Sequence, residues 1–488
     1  MRQCPASNDA DNEGKRLGKE KRQVLAKIIM KQKSHSYSKL TLLVLVASTS
    51  IAFADQAPNL PASPESTSFK KPAWLADLSL GIKESYDDNV YLSGVDRKDL
   101  PKYKVPAGGV AALNDRSSWV TTVSPKIGFN FAPLFDTKYL EQFTLAYAPD
   151  FVIYHDQSTE SYNANRFLTA IKGSDKWFSY ALDNAFNYID GSDKGPTYPG
   201  SLCSAYVQST VRERREQIQD RAKLSFRFDT DHWFFRPIAF LTYYDLMTAI
   251  IDPSKAGGYY NYADRYDVNG GLDVGYKLNK QFAFTLGYRY GHQYQQQFSF
   301  SPDSSPSDYQ RVLVGFEGKI FPWLKMDFQI GPDFRSYAKD TATHVTPVND
   351  NDLVTYYGEA NVVADLSSKD TLSFKYKQFQ WVSSTGKVPY FDSTYDLSYH
   401  RKVTEKLGLD LGARILSSDY NSGNLPTCKR DDIQYTFSLG LGYAISSHCS
   451  VSASYATDLG RNAEDNVTKP GNREFIRNVI SLGAVFKF

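Results

Sequence analysis

The last residues of the chain, NVISLGAVFKF, Asn478 to Phe488, alternate apolar side chains with small or charged ones and finish on an aromatic ring. Ile480, Leu482, Phe486 and Phe488 fall on one face of an extended strand, because successive side chains of a strand point to opposite faces. Chain termini usually lie loose at the surface, where a terminal phenylalanine gains little. A strand whose outer face meets lipid, with its last ring at the membrane interface, accounts for this ending.

The same two-residue period recurs from residue 74 onward. Apolar or aromatic side chains share one strand face in the sets Phe143, Leu145, Tyr147, Phe151 and Ile153; Phe178, Tyr180, Leu182, Phe186 and Tyr188; Phe282, Phe284, Leu286, Tyr288 and Tyr290; and Tyr435, Phe437, Leu439, Leu441 and Tyr443. Alternation of this length indicates half-buried strands. No stretch of similar length has a helical period, so the sequence predicts an all-β fold.

Short polar turns alternate with longer connections along this region. The turns are Phe135–Lys138, Gly173–Lys176, Asp229–Asp231, Leu278–Lys280, Phe321–Trp323, Ser367–Asp370, Val403–Lys406 and Ser446–His448. Outer-membrane barrels place short turns at their periplasmic end and long loops at their extracellular end. Eight short turns with both termini on the same side predict a closed antiparallel transmembrane β-barrel over residues 74–488, with about 18 strands and a range of about 16 to 20.

Soluble all-β folds explain the pattern less well. A β-propeller requires a repeated blade motif, which is absent, and a sandwich mixes short loops at both ends. The mean hydropathy of −0.45 does not argue against a barrel, because half of each strand faces a polar lumen. A membrane can be crossed here only by a closed sheet, since an open sheet leaves unpaired amides in hydrocarbon.

The N-terminal region is predicted to be a leader. The apolar run KLTLLVLVASTSIAFA, Lys39 to Ala54, follows basic residues and ends on Ala-Phe-Ala, as a secretory signal peptide cleaved before Asp55 does. Residues 1–54 are therefore an N-terminal extension and signal peptide, and the sequence favours Met30 as the true start. Residues 55–73 are rich in proline and serine, which indicates a flexible periplasmic lead-in.

Charge and cysteine content argue against a nucleic-acid partner, a disulfide scaffold and a zinc site. Removal of residues 1–54 leaves 46 basic and 50 acidic residues, a net charge of −4, which does not suggest a nucleic-acid partner. The three remaining cysteines, Cys203, Cys428 and Cys449, fit neither a disulfide scaffold nor a zinc spacing. Cys203 and Cys428 both fall in long connections. The sequence is therefore compatible with a disulfide between them and with two free thiols. No cofactor or metal site is predicted.

The first strand of the mature chain reads DLSLGIKESYDDNVYLSG, Asp77 to Gly94. Its L-x-L-G entry followed by Y-D-D-N-V resembles the opening of the beta-barrel porin type 2 family, which implies an outer-membrane barrel often linked with exopolysaccharide export. Asp87 and Asp88 lack the ligand spacing of a calcium-binding loop. The aromatic C-terminal strand resembles the signal that outer-membrane barrels present to the barrel-assembly machinery.

The strand period assigns a set of charged residues to the lumen. These candidate pore-lining residues are Lys83, Arg227, Arg236, Arg289, Arg311, Glu317, Lys325, Asp327, Arg335, Glu359, Asp410, Arg414 and Arg477. Both signs occur, which is typical of an ion-paired, water-filled interior with weak ion selectivity. An equally good explanation is that these charges brace the barrel.

The predicted function is a porin-like channel for passive diffusion of small polar solutes, because barrels of this strand number enclose an aqueous channel. Two alternatives remain: export of an exopolysaccharide, and a non-conducting scaffold or adhesin. Expected partners are outer-membrane lipid, the assembly machinery, and small polar solutes or a polysaccharide. An enzyme is not predicted, since no G-x-S-x-G or H-E-x-x-H motif occurs; a His–Ser or His–Asp contact on one barrel face would favour one.

Overall fold

The computed structural model of the chain describes residues 72–90, 92, 117–135, 137–191, 216–247, 264–296, 306–337, 352–382, 389–420, 430–462 and 475–488. These residues form the strands β1 (Leu75–Asp87), β2 (Ser118–Asn130), β3 (Gln142–Tyr147), β4 (Asp150–Tyr154), β5 (Tyr162–Asp175), β6 (Phe178–Asp190), β7 (Gln217–Asp229), β8 (Trp233–Asp245), β9 (Arg265–Lys277), β10 (Phe282–Gln295), β11 (Ser307–Phe321), β12 (Leu324–Tyr337), β13 (Asp352–Asp365), β14 (Asp370–Trp381), β15 (Tyr390–Lys402), β16 (Leu407–Tyr420), β17 (Arg430–Ala444), β18 (Cys449–Asn462) and β19 (Phe475–Lys487). Two short 3-10 turns accompany them, at Ala132–Leu134 and Ser158–Glu160.

Each strand pairs antiparallel with its neighbours in the chain, and the ring closes where β1 pairs with β19. The segments β3 and β4 both pair with β2 and with β5, so together they occupy one position in the wall. The result is a closed antiparallel barrel of 18 strands, which confirms the predicted fold. The predicted signal peptide and most of the predicted lead-in lie outside the described residues.

The break between β3 and β4 differs from the single strand that the sequence predicts over residues 143–153. Pro149 sits at the break, and because proline has no backbone N–H it cannot donate to the ladder. The register continues across it, since Phe151 pairs with Val123 on one side and Asn163 on the other. The predicted face of this strand is therefore kept.

All eight predicted turns join consecutive strands at one end of the barrel, which we call the turn end. The opposite end, the loop end, carries the longer connections, most of whose residues lie outside the described part of the chain. One connection at this end is short: β4 ends at Tyr154 and β5 begins at Tyr162, so it spans only residues 155–161.

Burial follows the two-residue period. Leu286 and Tyr290 of β10 are 55% and 53% exposed on the outer face, whereas Thr285, Arg289 and Gln293, which alternate with them, are buried. Apolar side chains thus cover the outside of the barrel and polar ones line the inside. Within the described residues, no helix is long and apolar enough to cross a membrane.

One seam in the wall is incomplete. Pairing between β13 and β14 extends from Asp365↔Thr371 only as far as Gly358↔Gln378. The other edge of β13 pairs with β12 up to Asp352, and β14 pairs with β15 up to Trp381↔Tyr390. The loop-end halves of β13 and β14 therefore diverge from each other.

Candidate functional site

The inner face of the barrel holds the charged residues that the sequence assigns to the lumen. Each of the thirteen occupies an inner position, because each alternates with outer apolar neighbours on its strand. The structure places six of them in two separate ion-paired groups, one toward the turn end and one toward the loop end.

The group toward the turn end is a continuous chain of ion pairs across β7 to β11. Glu317 of β11 accepts from Arg227 of β7 at 2.6 Å and from Arg236 of β8 at 2.7 Å. Arg236 also binds Asp273 at 2.9 Å, and the second oxygen of Asp273 binds Arg289 at 2.7 Å. Five side chains from five strands are thus linked by ion pairs, and the links of Arg227 and Arg236 are also charge-assisted hydrogen bonds, which are about twice as strong as neutral ones.

The ion-paired side chains can span several strands because the inner surface of the sheet beneath them carries little bulk at Gly275. Gly275 of β9 lies under the ring of Phe234, and any Cβ at this position would overlap that ring. The Arg227 guanidinium stacks on the same ring, 3.7 Å from its centroid. Glycine on the inner face therefore lets long side chains lie along the sheet and reach distant strands.

The group toward the loop end is more deeply buried. Asp333 of β12 accepts from Arg311 Nε and from Arg335 Nη2, both at 2.9 Å. Both guanidinium groups stack on the ring of Tyr309, at 4.1 and 4.7 Å from its centroid. Asp333 and Arg335 side chains are 0% exposed, so their charges depend on each other and not on water.

The end of β14 lies inside the barrel next to this group. We call Gln380 to Val382 the inward segment. Gln293 of β10 donates to the backbone oxygen of Gln380 at 2.9 Å, and Arg335 of β12 donates to the same oxygen at 3.3 Å. The side-chain amide of Gln380 donates to the Tyr337 hydroxyl. Three wall strands separate β14 from β10, so these bonds require the loop-end part of β14, still paired with β15, to separate from β13 and bend into the barrel.

The sequence of β14 changes character where the strand turns inward. Its outer face reads Leu372, Phe374 and Tyr376, followed by Gln378 and Gln380. The first three meet the outside, whereas Gln380 is 2% exposed and contacts polar side chains of β10 and β12. Glutamine at these positions can form hydrogen bonds with the polar groups that it meets, as Gln380 does with Tyr337, whereas an apolar side chain could not.

The other predicted lumen residues are more dispersed. Lys325 and Asp327 of β12 form an exposed pair at 3.7 Å near the turn end. Asp410 binds His400 Nδ1 at 2.8 Å, and Glu359 accepts from the Tyr357 hydroxyl at 2.6 Å. Lys83 and Arg414 lie on the inner faces of β1 and β16, and Arg477 lies on β19 at the closing seam.

That seam contains the Y-D-D-N residues. Arg477 donates to both oxygens of Asp87 through Nε at 3.1 Å, and through Nη2 to one of them at 2.8 Å. Asn478, which interrupts the apolar face of β19, donates to Asp88 through its backbone N–H at 2.6 Å and its side-chain amide at 2.7 Å. Asn89 donates to the backbone oxygen of Ile476 at 2.9 Å. We call these contacts the seam latch, because they join the first strand to the last.

The wall on both sides of the seam is lined by small polar side chains. Its inner positions are Thr436, Ser438 and Gly440 on β17; Ser450, Ser452 and Ser454 on β18; Ser481 and Gly483 on β19; and Ser79, Gly81 and Ser85 on β1. Ser438 and Ser454 are exposed to the lumen. The interior is therefore asymmetric: small residues predominate beside the seam, among charged ones such as Lys83 and Arg477, and arginines with aromatic rings line the other side.

The prediction included the paired arginines and one of their acidic partners, Glu317, but missed three other acidic partners. Asp273, Asp333 and Asp87 alternate with outer residues such as Leu272, so the same period could have found them. The inward segment carries a weaker signal, the change from aromatic side chains to glutamine on the outer face of β14.

Three histidines make contacts relevant to catalysis. His292 binds Asp308 at 2.9 Å on the outer face, and His400 binds Asp410 on the inner face. Within the described residues neither imidazole has a hydroxyl or thiol hydrogen-bonded to its other nitrogen. The Thr121 hydroxyl lies 2.7 Å from His155 Nε2, but Glu84 binds that hydroxyl and not the imidazole Nδ1. Within the described residues, the two His–Asp pairs lack a nucleophile and the Thr121–His155 pair lacks a group that orients the imidazole, so none forms a complete relay. Within the described residues, no group of three or more His, Cys, Asp or Glu side chains is placed to hold a metal ion.

No protein-family model matches the chain, and no match is found among curated proteins. Among solved structures, the barrel is similar to Pseudomonas aeruginosa OccK2 (OpdF) in complex with glucuronate, with 10% identity, a TM-score of 0.40, and coverage of 84% of this chain and 98% of that one. It is also similar to Acinetobacter baumannii OccAB3, with 11% identity, a TM-score of 0.38, and coverage of 84% and 99%. The ferric citrate transporter FecA in its unliganded form matches with 11% identity, a TM-score of 0.38, and coverage of 85% and 79%.

Proposed function

We propose that this chain is a bacterial outer-membrane channel through which small polar solutes diffuse passively. The observation that carries the proposal is the closed barrel of 18 strands with an apolar outside and a polar inside. The closed sheet pairs its strand edges, as the hydrocarbon region demands, except in the loop-end halves of β13 and β14, and barrels of this size enclose an aqueous channel.

The outer face has the composition expected of a lipid contact. Its middle carries aliphatic residues such as Val314 and Leu439, whereas Trp177, Trp233 and Trp323 are exposed beside the short turns. Tryptophan at this level is typical of the aromatic girdles that mark membrane interfaces. The turn end is accordingly periplasmic and the loop end extracellular.

Exposure on the inner face favours a channel over a solid scaffold. Lys375, Leu168, Ser438 and Ser454 lie on inner positions, yet all are exposed. Side chains there are reached by water, which would be excluded if the barrel interior were packed like a core. The export of an exopolysaccharide rests on the resemblance of Asp77 to Gly94 alone, and Asp87, Asp88 and Asn89 of that stretch lie in the seam latch.

Reconstitution of the folded chain into planar lipid bilayers tests this function. We expect stepwise ion conductance with weak selectivity, because most of the lumen arginines are neutralised by Asp273, Asp333, Glu317 or Asp87. The folded sample is identified by its heat-modifiable migration on gels, since a closed barrel resists detergent until boiled. A heat-modifiable sample without any conductance would contradict the channel and favour the scaffold.

Cysteine labelling tests the orientation. Cys449 begins β18 next to the last short turn, so it is periplasmic in this proposal, whereas Cys203 and Cys428 belong to extracellular connections outside the described residues. A membrane-impermeant maleimide applied to intact cells should label Cys203 and Cys428, with prior reduction if they form a disulfide, and should spare Cys449. Labelling of Cys449 alone would mean that the barrel is inverted.

A further inference from the structure

Four cations on the inner face differ from the paired arginines. Arg221 and Lys223 of β7, Arg265 of β9 and Lys377 of β14 have no carboxylate within 4.0 Å among the described residues. We call them, with the rings beside them, the cation–aromatic cluster. Unpaired cations facing a lumen attract anionic solutes, whereas paired ones mainly brace the wall.

Each of these cations stands over an aromatic ring. The distances from the charged group to the ring centroid are 5.7 Å for Arg221 over Tyr244, 5.6 Å for Lys223 over Phe240, and 5.2 Å for Lys377 over Phe379. Arg265 stands 5.0 Å from the centroid of Tyr244 and 5.2 Å from that of Trp381. The rings hold the cations by their negative faces and leave charge available to a ligand.

The cluster is assembled by the inward segment. Arg265 donates to the backbone oxygen of Val382 at 2.6 Å, which ties the end of β14 to β9. Tyr244 contacts Trp381 edge to face at 6.3 Å between centroids, and its hydroxyl accepts from Arg221. If β14 continued in the wall beside β13, Trp381 would not meet Tyr244 of β8 and Arg265 of β9.

Two carboxylates lie near the cluster but do not neutralise it. Glu359 interacts electrostatically with Lys377 and Lys223, and Asp392 with Arg265 and Lys377. Neither forms an ion pair with the four cations within the described part of the chain. Four positive charges therefore face two negative ones, so the cluster keeps a positive surplus.

We propose that the cation–aromatic cluster binds solutes that carry a carboxylate on a ring, and so sets the preference of the channel. Guanidinium groups match the planar geometry of a carboxylate, lysines supply point charge, and aromatic faces accept the flat side of a ring. The ring is either aromatic or a sugar, and both present the same carboxylate beside an apolar face. The solute preference rests on the proposed channel function, whereas binding of a ring carboxylate to the cluster does not require conductance.

Calorimetric titration of the folded full-length chain in detergent tests the site. Benzoate and galacturonate are the two ring carboxylates, and acetate and inorganic phosphate are the anions without a ring. We expect saturable binding of at least one ring carboxylate and binding at least about tenfold weaker for acetate and phosphate, because they lose the ring contacts. Tighter binding of benzoate identifies an aromatic acid as the solute, and tighter binding of galacturonate identifies a sugar acid.

Lys377→Gln and, on a different strand, Lys223→Gln should each weaken the binding about tenfold, because each removes one charge-assisted contact. Lys375→Gln is the matched control: it removes the same charge from the same face of β14, but Lys375 contacts no ring of the cluster and is exposed. Its effect should be less than about twofold. Heat-modifiable migration of every variant shows that it is folded.

The proposal is overturned if no ring carboxylate binds the folded chain, if phosphate binds as tightly, or if Lys375→Gln weakens binding as much as Lys377→Gln. The last result would mean that net lumen charge, and not the cluster, attracts the anion. Conductance without binding would contradict the binding site and support the channel. Binding without conductance would contradict the channel and support the binding site.

Discussion

Replacement of Asp333 by alanine is expected to lower the free energy of unfolding by about 5 kcal/mol, at the upper end of the cost of breaking a buried ion pair. Asp333 binds both Arg311 and Arg335, whose side chains are 8% and 0% exposed. Its removal leaves two guanidinium groups with little access to water. The loss should also loosen the inward segment, because Arg335 donates to Gln380.

The measurement is equilibrium unfolding of the refolded chain in denaturant, followed by its heat-modifiable migration. Asp327→Ala is the control, since this aspartate lies on the same strand and inner face but is 42% exposed and 3.7 Å from Lys325. It should cost at most about 1 kcal/mol, as exposed ion pairs do. Equal stability of the two variants would show that the loop-end group does not hold the barrel together.

From the sequence, the lumen charges could equally brace the barrel or attract solutes. The ion pairs distinguish these two roles. Arg227, Arg236 and Arg289 share Glu317 and Asp273, so they are held in fixed positions and contribute little free charge. Lys223 and Lys377 lack such partners in the described residues. We infer that bracing and solute attraction are performed by different residues on the same inner face.

The fold could be predicted from the sequence because a barrel strand has one environment on each face. A two-residue period then reports directly which side meets lipid, and turn residues such as those at Phe321–Trp323 mark where strands reverse. The break at Pro149 was missed because the period continues through it. The order of strands followed from the turns, since short turns join neighbours.

Contacts between distant strands could not be predicted in the same way. The reach of Glu317 to Arg227 depends on the glycine floor at Gly275 and on the curvature of the wall, which no local pattern encodes. The departure of β14 from β13 likewise depends on bonds from Gln293 and Arg335, which lie elsewhere in the chain. Alternation indicates the face of a residue but does not identify its partner.

The closing seam between β1 and β19 contains another contact that could not be predicted from the sequence. Asn478 interrupts an otherwise apolar outer face, and the sequence offers no reason for it. In the structure its side chain donates to Asp88 and accepts from the Tyr455 hydroxyl at 2.7 Å. Since β1 and β19 lie at opposite ends of the chain, this pairing becomes visible only after the barrel closes.

Asp87→Ala is therefore expected to weaken closure of the barrel by about 3 kcal/mol. Asp87 is buried and takes three hydrogen bonds from Arg477, which would keep only Asp458, at 3.4 Å. The cost lies below that expected at Asp333, because the Arg477 side chain is 30% exposed and can regain water in the lumen. The folded band on gels should convert to the unfolded band at a lower temperature.

The first and last strands can meet only after the whole chain has been made, so their contacts form late, when the ring closes. The matched control is Ser85→Ala, which removes one neutral hydrogen bond, to Ser481 at 2.9 Å, from the same pair of strands. It should lower stability by only about 1 kcal/mol. If Asp87→Ala converts at the same temperature as Ser85→Ala, the seam is held by its backbone ladder alone, and the Y-D-D-N residues must serve another purpose.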